Sequence, residues 1–394
     1  MNNSVKYSEK EVDSKMVPAK ELGNNLYKNL AHRLLDKADV NVNGSRRWDI
    51  QVNDESVYAL WLKKGSIGLG ESYMNGLWDC ENLDEFICRI LRANLRNAGG
   101  SYWKKLIYKA QALVFNQQSV KKAGEVGLKH YDVGNDLYEA MLGKEMVYSC
   151  AYWQNASSLE EAQEQKLDLI CRKIKLQPGQ KVLDVGCGWG GFARFAAQKY
   201  GAEVVGITIS HEQYNLARQR CAGLPIEIKL QDYRSVYEEF DRIVSIGMFE
   251  HVGYKNYRTF MQMVHRCLKK NGLFLLHCIG SNTSEISTDP WINKYIFPNG
   301  MLPSVMQITR SIENLFVLED WHNMGVFYDL TLQEWLRRFK QAWPELKKNY
   351  NERFYRMWVY YLSCSAASFR AKENNLWQIV FSRQENDQFY QSVR

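Results

Sequence analysis

The chain has 394 residues, of which 45% are apolar, so it can form two or three domains and is too rich in core residues to be globally disordered. Its formal net charge of +7 favours an anionic partner such as nucleic acid or a membrane surface, although many ordinary cytosolic proteins are as basic. The nine cysteines lack zinc-site spacing, and neither a secretory signal nor a run of about 18 apolar residues is present, so we expect a cytoplasmic protein without a metal site or membrane span.

The first third of the chain divides into three predicted parts. Residues 1–20 are polar, and we expect them to form a mobile tail. Residues 21–98 contain apolar residues at helical spacing and are predicted to form a small, mainly helical domain. Residues 99–128 are predicted to be a connector, within which residues 103–115 form a basic amphipathic helix. Such a helix is typical of a membrane-surface element, but helices that join two domains have the same pattern.

Residues 129–394 are predicted to form one domain in which strands and helices alternate. Five short apolar segments between residues 182 and 278 are predicted strands with helices between them, and two more strands are predicted near 315–320 and 377–382. This alternation predicts a doubly wound α/β sheet. Residues 281–303 lack a periodic pattern, and an insertion of this length is often a lid or a substrate wall.

The sequence VLDVGCGWGG at residues 182–191 combines a buried strand, a glycine-rich turn and the start of a helix. These three parts form a nucleotide-type site at the carboxyl edge of a parallel sheet, where Gly186, Gly188 and Gly190 let the backbone approach a ligand closely. A tight structural turn has the same glycine pattern. Asp184, inside the strand end, suits a cationic or hydroxyl-bearing ligand better than a pyrophosphate. We therefore predict a site for S-adenosylmethionine.

The next two predicted strands end in further candidate cofactor contacts. The end of the second strand lacks the acidic residue that usually binds ribose hydroxyls, and Thr208 and Gln213 are the candidate hydrogen-bonding groups there. Asp232 follows the third strand and suits the adenine amino group, while Tyr233 suits ring stacking. Acidic residues after strands are often only helix caps, but candidates at three consecutive strand ends favour one shared ligand site.

Candidate catalytic side chains lie farther along the predicted sheet. Glu250 follows the fourth strand and His277 ends the fifth, at the edge where ligands bind. A histidine in an apolar strand is more often simply buried and bonded to a backbone carbonyl. Cys150 and Cys364 would by default be small buried apolar residues, and Tyr328 an ordinary core or surface tyrosine.

Seven motifs are more specific together than the glycine-rich turn alone. They are KHYDVGND (129–136), YSCAYW (148–153), LDVGCGWGG (183–191), GMFEH (247–251), LHCIG (276–280), DPWINKYIFPNG (289–300) and DWHN (320–323). On these motifs the sequence resembles, over nearly its whole length, the cyclopropane fatty acid synthase family, bacterial enzymes that methylenate membrane lipid alkenes. The resemblance implies a seven-stranded, Rossmann-like class I S-adenosylmethionine-dependent methyltransferase domain and a smaller, mainly helical, lipid-associated N-terminal domain.

The resemblance also implies the roles of individual residues. The implied ligands of a bound bicarbonate ion are Cys150, Glu250, His277, Tyr328 and the backbone of Ile279. The implied contacts to S-adenosylmethionine are Tyr148, Ser149, Asp184, Gly186, Gly188, Gly190, Thr208, Gln213, Asp232 and Tyr233. The implied catalytic residues are Cys150, Glu250, His277, Tyr328 and Cys364, although the reaction needs no thiolate nucleophile at Cys364.

The expected reaction transfers a methylene group from S-adenosylmethionine to the cis double bond of unsaturated acyl chains in membrane phospholipids. Methyl transfer leaves a carbocation, and a base, here bicarbonate, must remove a proton before the ring closes. We expect a homodimer attached peripherally to the anionic inner face of the bacterial cytoplasmic membrane.

Three alternatives stay open. The first is a related lipid methyltransferase with a methyl-branched or hydroxylated product. The second is a lipid-binding or regulatory module that binds the cofactor without turnover. Nucleic-acid methylation is disfavoured, because the positive charge is diffuse and no Asn/Asp-Pro-Pro-aromatic motif is present.

Overall fold

The structure, a computed structural model, describes residues 19–95 and 134–394. The predicted tail up to residue 18, the connector with its basic helix at 103–115, and the first five residues of the KHYDVGND motif lie outside these ranges. Across the described ranges, every helix is either too short or too polar to span a bilayer.

Residues 19–95 form four helices and a two-stranded antiparallel sheet. In chain order these elements are α1 (Ala19–Lys37), β1 (Ile50–Val52), α2 (Ser56–Lys64), α3 (Ser66–Met74), β2 (Trp78–Cys80) and α4 (Leu83–Arg92). The glycine-rich α3 packs closely against its surroundings: a Cβ at Gly68 would lie 2.1 Å from the carbonyl oxygen of Leu60, and one at Gly70 would lie 2.3 Å from Nε1 of Trp291. Glycine is a poor helix former, so close packing explains its presence in this helix.

A seven-stranded mixed sheet organises residues 134–394. Its strands are β3 (Lys181–Val185), β4 (Glu203–Thr208), β5 (Ile226–Leu230), β6 (Phe240–Ile246), β7 (Leu268–Ser281), β8 (Phe316–Asn323) and β9 (Asn374–Arg383). Their order is β5-β4-β3-β6-β7-β9-β8; the first five strands in this order are parallel to one another, and β9 is antiparallel to both β7 and β8. The predicted doubly wound sheet is confirmed.

Nine helices of this part surround the sheet. They are α5 (Asn135–Leu142), α6 (Leu159–Lys173), α7 (Gly191–Tyr200), α8 (His211–Arg220), α9 (Tyr257–Cys267), α10 (Pro290–Tyr295), α11 (Val305–Ile312), α12 (Gly325–Leu346) and α13 (Glu352–Arg370). Within the aperiodic insertion, α10 begins because Asp289 accepts the N–H groups of Trp291 and Ile292 and Pro290 occupies the first turn.

One buried apolar cluster joins the N-terminal helices to α13. Tyr73 and Tyr360 place their ring centroids 5.6 Å apart across this contact. Arg370 bonds Asp84 at 2.6 Å and Asp329 at 2.9 Å, which ties α4 to α12 and α13. The predicted domain boundaries at residues 98 and 128 lie outside the described ranges and stay predictions.

Candidate active site

The chain turns sharply after β3, at the start of the site. Gly186 has φ 86° and Gly190 has φ 80°, values that side chains with a Cβ rarely adopt. A Cβ at Gly186 would also lie 2.7 Å from Met248, just after β6. The turn therefore lies between β3 and β6, where successive connections leave the sheet in opposite directions and ligands of doubly wound folds bind.

Trp189, inside this turn, connects it to the remaining part of the KHYDVGND motif. Its Nε1 donates to Oδ1 of Asn135 at 3.2 Å, and its ring centroid lies 4.9 Å from that of Tyr138. Because Asn135 and Tyr138 both lie on α5, this helix is fixed against the turn.

Asp184 is buried at the carboxyl end of β3. Burial raises the pKa of the Asp184 carboxyl to about 7, and the ammonium of Lys166 on α6 opposes this rise. The Nζ of Lys166 donates to Oγ of Ser149 at 3.0 Å. The structure thus fixes the YSCAYW segment against α6, and its contact with a methyl donor stays a prediction.

Tyr148 lies in an aromatic group. Its hydroxyl shares a 2.7 Å hydrogen bond with that of Tyr361, and its ring centroid lies 5.3 Å from those of Tyr138 and Trp335. Burial raises the pKa of Tyr148 well above its usual value, so the phenol is neutral. Phe249, by contrast, stacks on Tyr257 at 4.3 Å in the sheet core.

The candidates after β4 and β5 interact with near neighbours. Thr208 Oγ1 donates to Oε1 of Gln213 at 2.8 Å, and both residues are buried. Asp232 caps a 3₁₀ turn, because its carboxylate accepts the backbone N–H of Arg234 at 2.9 Å and its guanidinium at 2.8 Å. The ring of Tyr233 packs within the core, and burial raises its pKa to about 12. Their contacts with a cofactor stay predictions.

Glu250 lies in the 3₁₀ turn that follows β6 and is buried. Its Oε1 accepts the backbone N–H of Ile279 at 2.7 Å. Its Oε2 is buried without a hydrogen-bond partner among the described protein atoms. Burial raises the pKa of this carboxyl to about 7, which makes the group a candidate acid or base near neutral pH.

His277 lies in β7, two residues before Ile279, and is 1% exposed. Its Nδ1 lies 3.3 Å from Nε2 of Gln378, and its Nε2 is buried with no partner in the part of the chain that the structure describes. Burial, assisted by Lys166 and Lys173, lowers the pKa of this imidazole well below its usual value. The orphaned Nε2 of His277 and Oε2 of Glu250 are polar groups that a small polar ion can satisfy.

Cys150 contacts Thr331, which lies on the same helix as Tyr328. The thiol of Cys150 donates to the carbonyl of Ala151 at 3.2 Å and lies 4.0 Å from Oγ1 of Thr331. Thr331 lies one turn after Tyr328 on α12 and accepts the Ala151 N–H at 3.1 Å. Burial raises the pKa of the Cys150 thiol, so it is a hydrogen-bond donor here.

Cys364 lies on α13, whereas Glu250 lies in the turn after β6 and His277 lies in β7. It is half-buried on α13, where its thiol interacts with Tyr360. The ring of Tyr360 contacts Trp291 at 4.7 Å. Burial raises the pKa of the Cys364 thiol, which disfavours the thiolate.

The insertion at 281–303 contacts both Glu250 and the N-terminal helices. The backbone N–H of Met301 donates to the carbonyl of Glu250 at 2.8 Å. On its other side, Lys294 and Tyr295 bond Glu71 on α3 at 2.6 and 2.8 Å. The insertion therefore forms a wall between α3 and the turn that holds Glu250.

Three residues contact predicted site residues but were not themselves predicted. They are Lys166, which bonds Ser149, Thr331, which contacts Cys150, and Gln378, which pairs with His277. A sequence pattern was available for one of them: Lys166 lies between Ala162 and Ile170 on the apolar face of the predicted helix. The other two reach the site through tertiary packing, which no local pattern reveals.

Comparisons with known proteins give consistent relatives. A sequence model of the family described as "Mycolic acid cyclopropane synthetase" matches residues 118–379. The chain is 54% identical, over 90% of its length and 93% of the relative, to "Cyclopropane-fatty-acyl-phospholipid synthase" of Escherichia coli (strain K12). It is 38% identical, over 64% of its length and 67% of the relative, to a "Probable fatty acid methyltransferase" of Pseudomonas putida.

Two solved structures have the same fold over the larger part of the chain. The cyclopropane synthase MmaA2 from Mycobacterium tuberculosis is 30% identical with a TM-score of 0.63, over 66% of this chain and 98% of that one. Mycolic acid cyclopropane synthase CmaA1, complexed with SAH and CTAB, is 32% identical with a TM-score of 0.62, over 65% of this chain and 97% of that one.

Proposed function

This chain belongs to the mycolic acid cyclopropane synthetase family, and we propose that it methylenates the cis double bond of unsaturated acyl chains in membrane phospholipids. The resemblance stated from the motifs and the class I methyltransferase fold are confirmed. The observation that carries the proposal is the 54% identity, over 90% of the chain, to a cyclopropane-fatty-acyl-phospholipid synthase. The buried pair of orphaned polar atoms on Glu250 and His277 supports it.

S-Adenosylmethionine, when bound, supplies an electrophilic methyl group. The residues that would hold it are Tyr148, Ser149, Asp184, Gly186, Gly188, Gly190, Thr208, Gln213, Asp232 and Tyr233. Asp184 would accept the α-ammonium group, since it is an acid at the carboxyl end of β3, beside the glycine turn. The turn keeps side chains away so that backbone groups approach the donor.

Bicarbonate fits the second half of the site. Glu250 Oε2 and His277 Nε2 have no protein partner among the described residues, and an oxyanion that carries a proton can accept from one group and donate to the other. Cys150, Tyr328 and the Ile279 backbone would complete its ligands. When bound, bicarbonate supplies a base of moderate strength for the proton lost on ring closure.

The aromatic group around Tyr148 suits the positive charge that develops on the alkene carbons. The faces of Tyr138, Tyr148 and Trp335 attract a cation without reacting with it, which is worth roughly 1–2 kcal/mol per ring when the site is desolvated. Neutral phenols serve this purpose, since burial keeps Tyr148 protonated.

Product analysis tests the reaction. The full chain is expressed in a bacterial host without cyclopropane activity, and the fatty acids of its phospholipids are examined by mass spectrometry and NMR. We expect acyl chains heavier by one CH₂ that contain a ring, and none from the Glu250→Gln variant. A methyl-branched or hydroxylated product would replace the proposal with the alternative lipid methyltransferase. Cofactor binding without any product would favour a binding module.

We further propose that the protein attaches peripherally to the anionic inner face of the cytoplasmic membrane, as a homodimer, with residues 21–98 as the lipid-associated part. The basic sequence at 103–115 and the location of the substrate support this proposal. The full chain should sediment with anionic vesicles, and a variant with Lys104, Lys105 and Lys109 replaced by Gln should sediment less. Equal sedimentation of both proteins would remove residues 103–115 from the proposal. Sedimentation velocity gives the oligomeric state.

A further inference from the structure

Trp335 lies on the same face of α12 as Tyr328 and Thr331. The three residues follow one another at intervals of three and four positions, which places them in one row along a helix. The ring centroid of Trp335 lies 5.3 Å from that of Tyr148 and 6.0 Å from that of Tyr328. Its indole therefore adjoins both a predicted contact of the methyl donor and a predicted ligand of bicarbonate.

The indole N–H of Trp335 is buried without an acceptor. The side chain is 0% exposed, and its Nε1 has no hydrogen-bond partner among the residues that the structure describes. A buried tryptophan N–H usually has an acceptor, because an unsatisfied donor loses its hydration without compensation. Trp153 and Trp189 follow this rule, since their Nε1 atoms donate to Thr331 at 2.9 Å and to Asn135 at 3.2 Å.

Trp291 is a second tryptophan whose buried Nε1 has no partner in the described ranges, but its surroundings differ. A Cβ at Gly70 would lie 2.3 Å from this nitrogen, so the edge of the indole packs against the backbone of α3. The rings that it contacts belong to Tyr295 and Tyr360, and neither is a predicted site residue. Trp291 is therefore a matched control for Trp335, with an equally unpaired N–H at a contact between helices.

An oxygen atom of an anion fits the position next to Trp335. Both ligands predicted beside this ring carry such oxygens, because S-adenosylmethionine has an α-carboxylate and bicarbonate is itself an oxyanion. A hydrogen bond to an ionised acceptor is stronger than one to a neutral acceptor, so it compensates well for the burial of the donor. The N–H lies in the plane of the indole, so this bond leaves the face of the ring free for a positive charge.

We propose that Trp335 is a further ligand-binding residue of the active site, whose indole N–H donates a hydrogen bond to an oxyanion held beside Tyr148 and Tyr328. The oxyanion is either bicarbonate or the α-carboxylate of the methyl donor. This inference rests on the proposed function, which supplies both anions.

The NMR signal of the Trp335 indole N–H tests this bond without turnover. The full chain is labelled with ¹⁵N in its tryptophan indoles, and the two signals of interest are assigned from Trp335→Phe and Trp291→Phe. Sodium bicarbonate and S-adenosylhomocysteine, which carries the same α-carboxylate as the methyl donor, are added separately in buffer freed of dissolved CO₂. We expect one of them to move the Trp335 proton signal downfield, while the Trp291 signal stays in place. The ligand that moves it identifies the anion.

A second measurement removes the N–H and keeps the size of the ring. The substitution Trp335→β-(3-benzothienyl)alanine, made by stop-codon suppression, puts sulfur in the place of the N–H. If bicarbonate is the acceptor, the bicarbonate concentration for half-maximal activity should rise about tenfold or more; if the carboxylate is the acceptor, the Kd of S-adenosylhomocysteine should rise by that factor. The same substitution at Trp291 should change neither value.

A Trp335 signal that responds to neither anion, with wild-type ligand dependence in the benzothienyl variant, would overturn the inference. The N–H would then be directed at the ring of Tyr328 and serve packing alone. Failure of the proposed function gives a different result: the wild type would form no cyclopropane product, while the Trp335 signal still responded to one of the anions.

Discussion

Nε2 of Gln378 lies 3.3 Å from Nδ1 of His277, directly across the antiparallel pairing of β7 and β9. An amide N–H donated to Nδ1 leaves the proton of a neutral imidazole on Nε2. Burial, with smaller effects of Lys166 and Lys173, lowers the pKa of His277 well below its usual value, so the ring is neutral. Its Nε2 is thereby a buried hydrogen-bond donor without a partner among the described residues.

Replacement of Gln378 should change the tautomer of His277. In Gln378→Glu the carboxylate accepts from Nδ1–H, so Nε2 becomes an acceptor and can no longer donate to bicarbonate. We expect kcat to fall by about 10²-fold or more, with the affinity for S-adenosylhomocysteine unchanged. The ¹⁵N chemical shifts of His277 report the tautomer directly. Gln378→Leu, which leaves Nδ1 without a partner, should lie between the wild type and Gln378→Glu; wild-type kcat in both variants would contradict the assignment.

The buried carboxyl of Glu250 should make stability depend on pH. Its folded-state pKa of about 7 lies above the ordinary value of 4.5, so the folded state retains this proton between those values. The stabilisation is complete below pH 4.5 and is lost as pH rises to 7. One pKa unit corresponds to about 1.4 kcal/mol. The free energy of unfolding of Glu250→Gln should therefore rise by about 3 kcal/mol relative to that of the wild type as the pH increases from 4.5 to 7.

Denaturant unfolding at pH 5 and pH 8 measures this difference, and the Glu212→Gln variant, at an exposed position, is the control. The same carboxylate must be ionised to interact with a proton-donating ligand, so wild-type activity should rise with pH through about 7. If the difference in free energy of unfolding between the wild type and Glu250→Gln is the same at both pH values, burial does not raise the pKa of the Glu250 carboxyl.

Gly70→Ala should disturb the insertion from the side of the N-terminal helices. The new Cβ would lie 2.3 Å from Nε1 of Trp291, so α10 must move away from α3. Since Met301 of the same insertion holds the carbonyl of Glu250, we expect a loss of activity of about tenfold or more with unchanged S-adenosylhomocysteine binding.

A matched control for Gly70→Ala is Gly68→Ala, on the same helix. Its Cβ would meet the carbonyl oxygen of Leu60 at 2.1 Å, inside the N-terminal part and away from α10. Both variants should lower the melting temperature, but at temperatures well below unfolding only Gly70→Ala should lose activity. If both variants lose the same activity, the loss results from general destabilisation and not from displacement of the insertion.

Cys364→Ala should retain most of the activity. The thiol is held protonated by burial and lies against Tyr360 on α13, so no thiolate is available as a nucleophile. We expect kcat/KM to stay within about threefold of the wild type, as is usual for a modest packing change. Cys150→Ala, which removes the thiol beside Thr331, should have the larger effect. A loss above about 10²-fold in Cys364→Ala, with the fold intact, would restore a catalytic role.

The sheet could be predicted because each of its strands is recognisable from its own stretch of sequence. Strands β3 to β7 each contain a short apolar run, with a helix or turn between successive strands, and alternation of this kind has one common architecture. The helix α3 was not predicted, because Gly68 and Gly70 weaken helix propensity and are explained only by the neighbours that they contact. The start of α10 had a local pattern in its Asp-Pro pair, which caps a helix.

In the candidate site, too, the residues with a local sequence pattern could be predicted and those placed by tertiary contacts could not. Glu250 and His277 were found because they follow or end predicted strands, where parallel sheets bind ligands. Gln378 could not be found, since its relation to His277 depends on the register of an antiparallel strand 101 residues later in the chain. Lys166 was passed over because a lysine in a helix is normally exposed, although its position on the apolar face of the predicted helix was visible in the sequence.

Position 279 shows how a functional contact can be independent of the side chain. Glu250 is fixed by the peptide N–H of Ile279, a group that every amino acid except proline provides. Natural variation at this position can therefore be wide without loss of the contact, and a scan by alanine would miss it. Its importance becomes measurable only when the peptide bond itself is altered, for example by an ester in place of the amide.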